Sequence, residues 1–198
     1  MEALAKRHVH IYTESSPNPN SLKFVVNFLI TPEGKDFNFI SLESASQSPL
    51  AQQLFQKYDW VEQVFFMNNF VTLTKSEGAE WFELVTEIKP FLQQFFEDKS
   101  PIFAFNSETE MQAAIESVQG ENDTERQIIQ ILDEYVKPAV EGDGGAISFV
   151  SFQEGTVNLE LRGSCSGCPS SMVTLKQGIE NLLTRMVPEV KDVVAVNM

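Results

Sequence analysis

The sequence predicts a mixed α/β protein of the α+β type, built as two small domains. Three observations carry this. Apolar residues recur at every second position in some stretches and at every third or fourth in others, so strands and helices share the chain. Residues 123–198 present these stretches in the order α-β-β-α-β, enough for one compact domain with a small core. Residues 99–122, between the two patterned halves, hold Pro101, Gly120 and a polar acidic stretch around residues 107–110. The expected division is a first domain over 8–98, a linker over 99–122 with a short helix at Met111, Ala114, Ile115 and Val118, and a second domain over 123–198.

In the first domain, strands over 9–14 and 22–29 are joined across Ser16-Pro17-Asn18-Pro19-Asn20, whose prolines and asparagines favour a turn. Residues 37–40 read as a third strand. Residues 49–58 form a helix with Leu50, Leu54 and Phe55 on its inner face. Strands over 64–67 and 70–73 flank Asn68-Asn69 as a hairpin. A second amphipathic helix over 81–96 is expected to kink or step at Pro90.

In the second domain, Asn122-Asp123-Thr124 offers helix caps, and Thr124 with Gln127 has the spacing of a capping box. Ile128, Ile131, Leu132, Tyr135 and Val136 follow at helical spacing, and Pro138 with Gly142-Asp143-Gly144-Gly145 is expected to end that helix. The glycine run lacks the Gly-Lys-Ser/Thr of a phosphate loop and follows a helix, so it reads as a chain reversal. Residues 146–152 alternate as a strand, with Ile147 and Phe149 on one face and Val150 and Phe152 on the other. Gln153-Glu154-Gly155 turns the chain into residues 156–162, where Val157, Leu159 and Leu161 share the buried face. Beyond the loop 164–171, Met172, Leu175, Ile179, Leu182, Leu183 and Met186 mark a long helix stopped by Pro188. Residues 190–196 are the last strand.

The charge balance narrows the partners. Basic side chains number 14 and acidic ones 28, for a net charge of −14. Residues 1–120 hold 8 and 16 of them and residues 121–198 hold 6 and 12, so each half is acidic. Such a field repels nucleic-acid backbones and anionic lipid surfaces, and neither is an expected partner. No stretch approaches the roughly 18 uninterrupted apolar residues of a membrane span. The opening residues MEALAKRHVH lack the apolar core and cleavage site of a secretory signal. A cytoplasmic location is the expectation.

There are two cysteines, Cys165 and Cys168, in a Cys-x-x-C loop. Metal binding and disulfide chemistry both need thiolate. Pro169 suits the first turn of a helix and sets Cys168 at its N-terminus, where unpaired N–H groups and the helix dipole favour negative charge. Ser164, Ser166, Ser170 and Ser171 are candidate donors to sulfur, and Gly163 and Gly167 let the backbone turn tightly. Residues 161–179 contain no Asp or Glu but do contain Arg162 and Lys176. That predicts a site favouring an ionised thiol. A structural zinc or an iron–sulfur cluster normally takes four protein ligands, and one chain supplies two thiolates. His8 and His10, in the other domain, read as solvated side chains. The simplest completion is the same loop from a second copy, which makes a homodimer around the site. On spacing alone, a redox dithiol and a metal site both remain open.

The wider context changes that balance. The run Gly163-Ser-Cys-Ser-Gly-Cys-Pro-Ser-Ser-Met-Val-Thr-Leu-Lys176, with Gly178-Ile-Glu-Asn-Leu182 and Val187-Pro-Glu-Val190, closely resembles the C-terminal domain of NifU-type iron–sulfur proteins. Pro138-Ala-Val-Glu-Gly-Asp-Gly-Gly145 resembles the same family's segment between first helix and first strand. Ser16-Pro-Asn-Pro-Asn-Ser-Leu-Lys-Phe24, Ser48-Pro-Leu50 and Val64-Phe-Phe66 are similar to the Nfu/NifU N-terminal domain. The resemblance implies a scaffold or carrier, not an enzyme. It would hold a labile iron–sulfur cluster, usually 4Fe-4S, on Cys165 and Cys168 and pass it to apo-proteins. Two other readings use the same pair. One is a thiol–disulfide oxidoreductase, against which stand the absence of an aromatic residue before the pair and an element order unlike thioredoxin. The other is a structural zinc-bridged dimer. Fourteen of the 16 Phe residues precede residue 106. Most belong to a core, but Phe65-Phe66 and Phe95-Phe96 point neighbours to different faces, which suggests an exposed apolar patch for recruiting clients.

Overall fold

The computed structural model describes residues 8–104, 120, 122–166 and 169–196. The described residues fall into two compact units, one within positions 1–15 and 19–114, the other within 16–18 and 115–198. The helix expected at Met111–Val118 lies outside the described residues.

The first unit is a five-stranded antiparallel sheet with two helices. Its strands are β1 (Ile11–Ser15), β2 (Ser21–Val26), β3 (Asp36–Phe39), β4 (Val61–Met67) and β5 (Phe70–Lys75), in the spatial order β1-β2-β5-β4-β3. Asn68 turns the β4–β5 hairpin at φ 48°, a left-handed conformation that asparagine tolerates. Its carbonyl accepts the Ile30 N–H at 2.7 Å, which ties the loop after β2 to the hairpin. Helix α1 (Pro49–Lys57) is capped by Ser48, whose hydroxyl accepts the Ala51 N–H at 3.2 Å and donates to the Ile102 carbonyl at 2.8 Å. Leu50 and Leu54 from α1, and Ile88 and Leu92 from α2 (Trp81–Glu97), share one core with Phe24, Phe66 and Leu73 of the sheet. Each such side chain contributes about 1.5–3 kcal/mol on full burial.

Helix α2 runs through Pro90, with Ile88, Leu92, Phe95 and Phe96 buried on both sides of the proline. One expectation is corrected here. The paired phenylalanines are not exposed: Phe65, Phe66, Phe95 and Phe96 are all buried. The reason in the sheet is that β4 and β5 are central strands buried on both faces, so alternation does not bring either neighbour to water. Among the described residues the exposed phenylalanine is Phe82, at 87%. Phe82→Ala is expected to change the unfolding free energy by no more than about 0.5 kcal/mol, as for other exposed positions. Chemical denaturation checks this.

The second unit begins with helix α3 (Asp123–Ile131), one π-helical turn (Leu132–Val136) and helix α4 (Lys137–Gly142). Strands β6 (Gly145–Gln153) and β7 (Thr156–Gly163) pair antiparallel. Helix α5 (Pro169–Met186) then crosses over to β8 (Asp192–Val196), which pairs parallel to β7. The cap of α3 is Asn122, the first of the three residues the sequence offers, whose Oδ1 accepts the Glu125 N–H at 2.9 Å, and not the Thr124 of the expected capping box. Helical structure also continues past Pro138. The wider turn just before the proline absorbs its missing N–H, and the chain stays helical to Gly142.

The β6 register shifts between Phe149 and Ser151. That extra residue flips the phase, so Phe152 faces Val157 and packs against the core instead of pointing away. Ile128, Leu132, Ile147, Leu159 and Leu183 make the core of this unit, and Cys165 is part of it. Met186, expected inward, is 37% exposed while Val187 is fully buried. No helix among the described residues is long and apolar enough to cross a membrane.

Candidate metal centre

Strand β7 carries the chain to the cysteine loop, and β6 starts beside it. Gly145 and Gly163 are the last pair of that ladder. Gly163, at φ 65°, then turns the chain out of the strand. The Ser166 N–H and hydroxyl both donate to the Gly163 carbonyl, at 3.1 and 2.8 Å, which closes a tight turn around Cys165. A second set of bonds runs to the turn after α4. The Ser164 N–H donates to the Gly144 carbonyl at 3.2 Å, and its hydroxyl donates to the Asp143 carbonyl at 2.7 Å. The glycine run thus packs directly against the cysteine loop.

The closest approach is at Gly145. A Cβ on this residue would lie 2.8 Å from Cys165 Sγ and 2.6 Å from the Arg162 carbonyl oxygen, both shorter than real contacts allow. Glycine is the residue that leaves room for the sulfur. Cys165 is 8% exposed and its thiol is free.

Burial pushes the Cys165 thiol above its ordinary range. The Ser164 hydroxyl, 3.8 Å from Sγ, pulls it down, and the nearby Asp143 carboxylate pushes it up. At Cys165 this corrects the expectation of a site that favours ionisation; the part of it that concerned Cys168 lies outside the described residues. The stretch 161–179 lacks acids in sequence but not in space. Asp143 arrives from the upstream turn, the Arg162 guanidinium pairs with Glu160 and donates to the Ser148 hydroxyl, and Lys176 pairs with Asp192 at 3.6 Å.

The sign of the resulting pH dependence follows. An acid whose folded pKa is raised keeps its proton where the unfolded chain has lost it. Its contribution is present in full below the unfolded thiol pKa and is lost as pH climbs through the folded value. The metal-free protein should therefore lose stability on the alkaline side, and Cys165→Ala should lack that loss. Urea midpoints measured from neutral to alkaline pH check both curves.

Cys168 and Gly167 lie outside the described residues, and α5 begins at Pro169. His8 and His10 are exposed in the first unit, flanking buried Val9. The Asn27 side chain accepts from the His10 N–H at 2.9 Å and donates to the His8 carbonyl at 3.1 Å. The contact of Gly145 with the sulfur and the link from Ser164 to Asp143 are not visible in the sequence. The only signal was the glycine run itself. Chemically, a soft sulfur ligand beside closely approaching backbone suits zinc or iron, and metal binding must displace the thiol proton.

Known protein families match the chain over both of its units. Residues 11–99 match the family described as scaffold protein Nfu/NifU N terminal, and residues 128–194 match the NifU-like domain family. The chain belongs to the NifU-like, Nfu-type family. It is 38% identical over 193 residues to the NFU1 iron–sulfur cluster scaffold homolog, mitochondrial, of Drosophila persimilis, a match covering 98% of this chain and 67% of that protein. The protein of the same name from Drosophila willistoni is 39% identical over 193 residues, covering 98% and 65%. The chain thus spans about two thirds of the length of these curated relatives. The solution structure of a NifU-like protein from Saccharomyces cerevisiae is 26% identical, covers 52% of this chain and 90% of that one, and has a TM-score of 0.44. These names overturn the expected cytoplasmic location, because relatives that match nearly the whole chain are named mitochondrial. Composition and net charge do not separate cytosol from organelle interior, which is why the expectation failed.

Proposed function

We propose that this protein is an iron–sulfur cluster scaffold of the mitochondrion. It takes up a 4Fe-4S cluster on Cys165 and Cys168 of two copies of itself and passes it to apo-proteins that need one. The cluster is cargo, and the chain turns over no substrate. The observation that carries this is the donor set: two cysteines per chain in a Cys-x-x-C loop, one of them seated at the end of β7 against Gly145. Four-thiolate ligation then requires a second copy. A cluster held in a short loop between subunits is open to exchange, because incoming thiolates can replace its ligands one at a time. Against the alternative of disulfide exchange stand the absence of an aromatic residue before the pair and an element order unlike thioredoxin.

Anaerobic incubation with iron and sulfide tests the reading. The expected product is a brown protein with about four irons and four sulfides per two chains. Mixing it with a metal-free recipient should move the colour and the iron to that recipient. A protein that reduces a model disulfide as a monomer, or one that keeps zinc against an excess of iron, would replace this reading with one of the other two.

A further inference from the structure

We propose that Ser164 is a positioning residue for Cys165, clamping the Asp143–Gly144 turn onto the cysteine loop; this rests on the cluster-carrying reading above. The β6–β7 ladder stops at the Gly145–Gly163 pair, and the bonds from Ser164 extend the connection one residue further. Ser164 reaches the turn twice: its N–H donates to Gly144 at 3.2 Å and its hydroxyl to Asp143 at 2.7 Å. The residue is 2% exposed, so water does not readily take over the bond if the hydroxyl is removed. The same oxygen lies 3.8 Å from Cys165 Sγ, so the clamp and the sulfur share one wall. Gly145, the close neighbour of that sulfur, follows directly on the two residues that Ser164 holds. Without the hydroxyl one of the two bonds is lost, the turn and the loop separate more often, and Sγ is more often exposed. Nothing in the cysteine motif itself requires this role, because the bond partner lies in the upstream glycine run.

The test uses the full-length chain without metal, carrying Cys168→Ser so that Cys165 is the one thiol present. Ser164→Ala is expected to speed labelling of Cys165 by iodoacetamide about five- to tenfold, the scale of losing one buried hydrogen bond. The rates are compared on their alkaline plateau, where the hydroxyl's effect on thiol ionisation drops out. Ser164→Thr keeps the hydroxyl and should bring the rate back near that of the unaltered chain. Amide hydrogen exchange should quicken at position 164 in Ser164→Ala while the β6–β7 ladder stays protected. Three results overturn the clamp: an unchanged labelling rate in Ser164→Ala, equal rates in Ser164→Ala and Ser164→Thr, or loss of protection throughout the sheet. Iron–sulfur loading of the unaltered chain is scored separately. Its failure would remove the carrier reading while leaving the labelling result to stand.

Discussion

Cys165→Ser is expected to abolish the visible absorption that the unaltered chain acquires with iron and sulfide, and Cys168→Ser to do the same. Each substitution removes one sulfur per chain and therefore two of four ligands in a dimer, so the loss is complete and not graded. Serine cannot substitute, because its hydroxyl stays protonated at neutral pH and binds iron far more weakly than thiolate. The fold should survive. A hydroxyl at position 165 costs about 1–3 kcal/mol in a partly polar buried seat, less than a typical domain's stability. Iron and sulfide analysis after desalting, beside a thermal melt, separates lost binding from lost folding. Retention of half the cluster by either variant would mean that other groups complete the site.

Gly145→Ala is the second large effect, and it tests the packing of the site without touching a ligand. The new methyl meets the Arg162 carbonyl at 2.6 Å and Cys165 Sγ at 2.8 Å. The carbonyl belongs to the β6–β7 pairing, where Ala146 faces Arg162, so relieving that contact strains the end of the ladder. The sulfur must move as well, because the two clashes are separate. Overpacking of this kind costs about 1–3 kcal/mol. At the cluster, a strain of that size weakens retention on the order of tenfold or more, since ~1.4 kcal/mol corresponds to a factor of ten. Gly178→Ala is the comparison. Nothing lies within 4 Å of a Cβ there, in the middle of α5. That change should raise stability by up to about 1 kcal/mol through helix propensity. Denaturation midpoints and the rate of iron loss to a chelator measure both variants. Equal behaviour of the two alanines would remove the claim that the glycine run shapes the cysteine seat.

Much of the architecture was legible because local patterns agreed with the tertiary fold. Val157, Leu159 and Leu161 alternate along a strand that buries one face, and Leu50 and Leu54 lie on one side of a capped helix. Asn68-Asn69 marked the hairpin because few residues accept its backbone conformation. The misses share a different cause: each depends on something outside its own segment. Phe65 and Phe66 are both buried because neighbouring strands make β4 central, which no reading of β4 alone can show. Phe152 changed face because one extra residue entered β6 upstream of it. The helix passed Pro138 because a π turn preceded it.

The site followed the same division. The Cys-x-x-C pair was plain from spacing; its completion by a second copy is part of the proposed function. The electrostatics around Cys165 were misread chiefly because the thiol is buried, with Asp143, distant in sequence, adding to the upward push. Local charge counts see only the residues on either side of a thiol.

Native mass spectrometry of the protein loaded anaerobically with iron and sulfide is the most direct measurement of the central claim. The expected species is two chains with one four-iron, four-sulfide cluster, which splits into metal-free single chains when the cluster is chelated. A cluster carried by a single chain, with no added thiol in solution, would contradict the claim that each polypeptide brings half of the ligands.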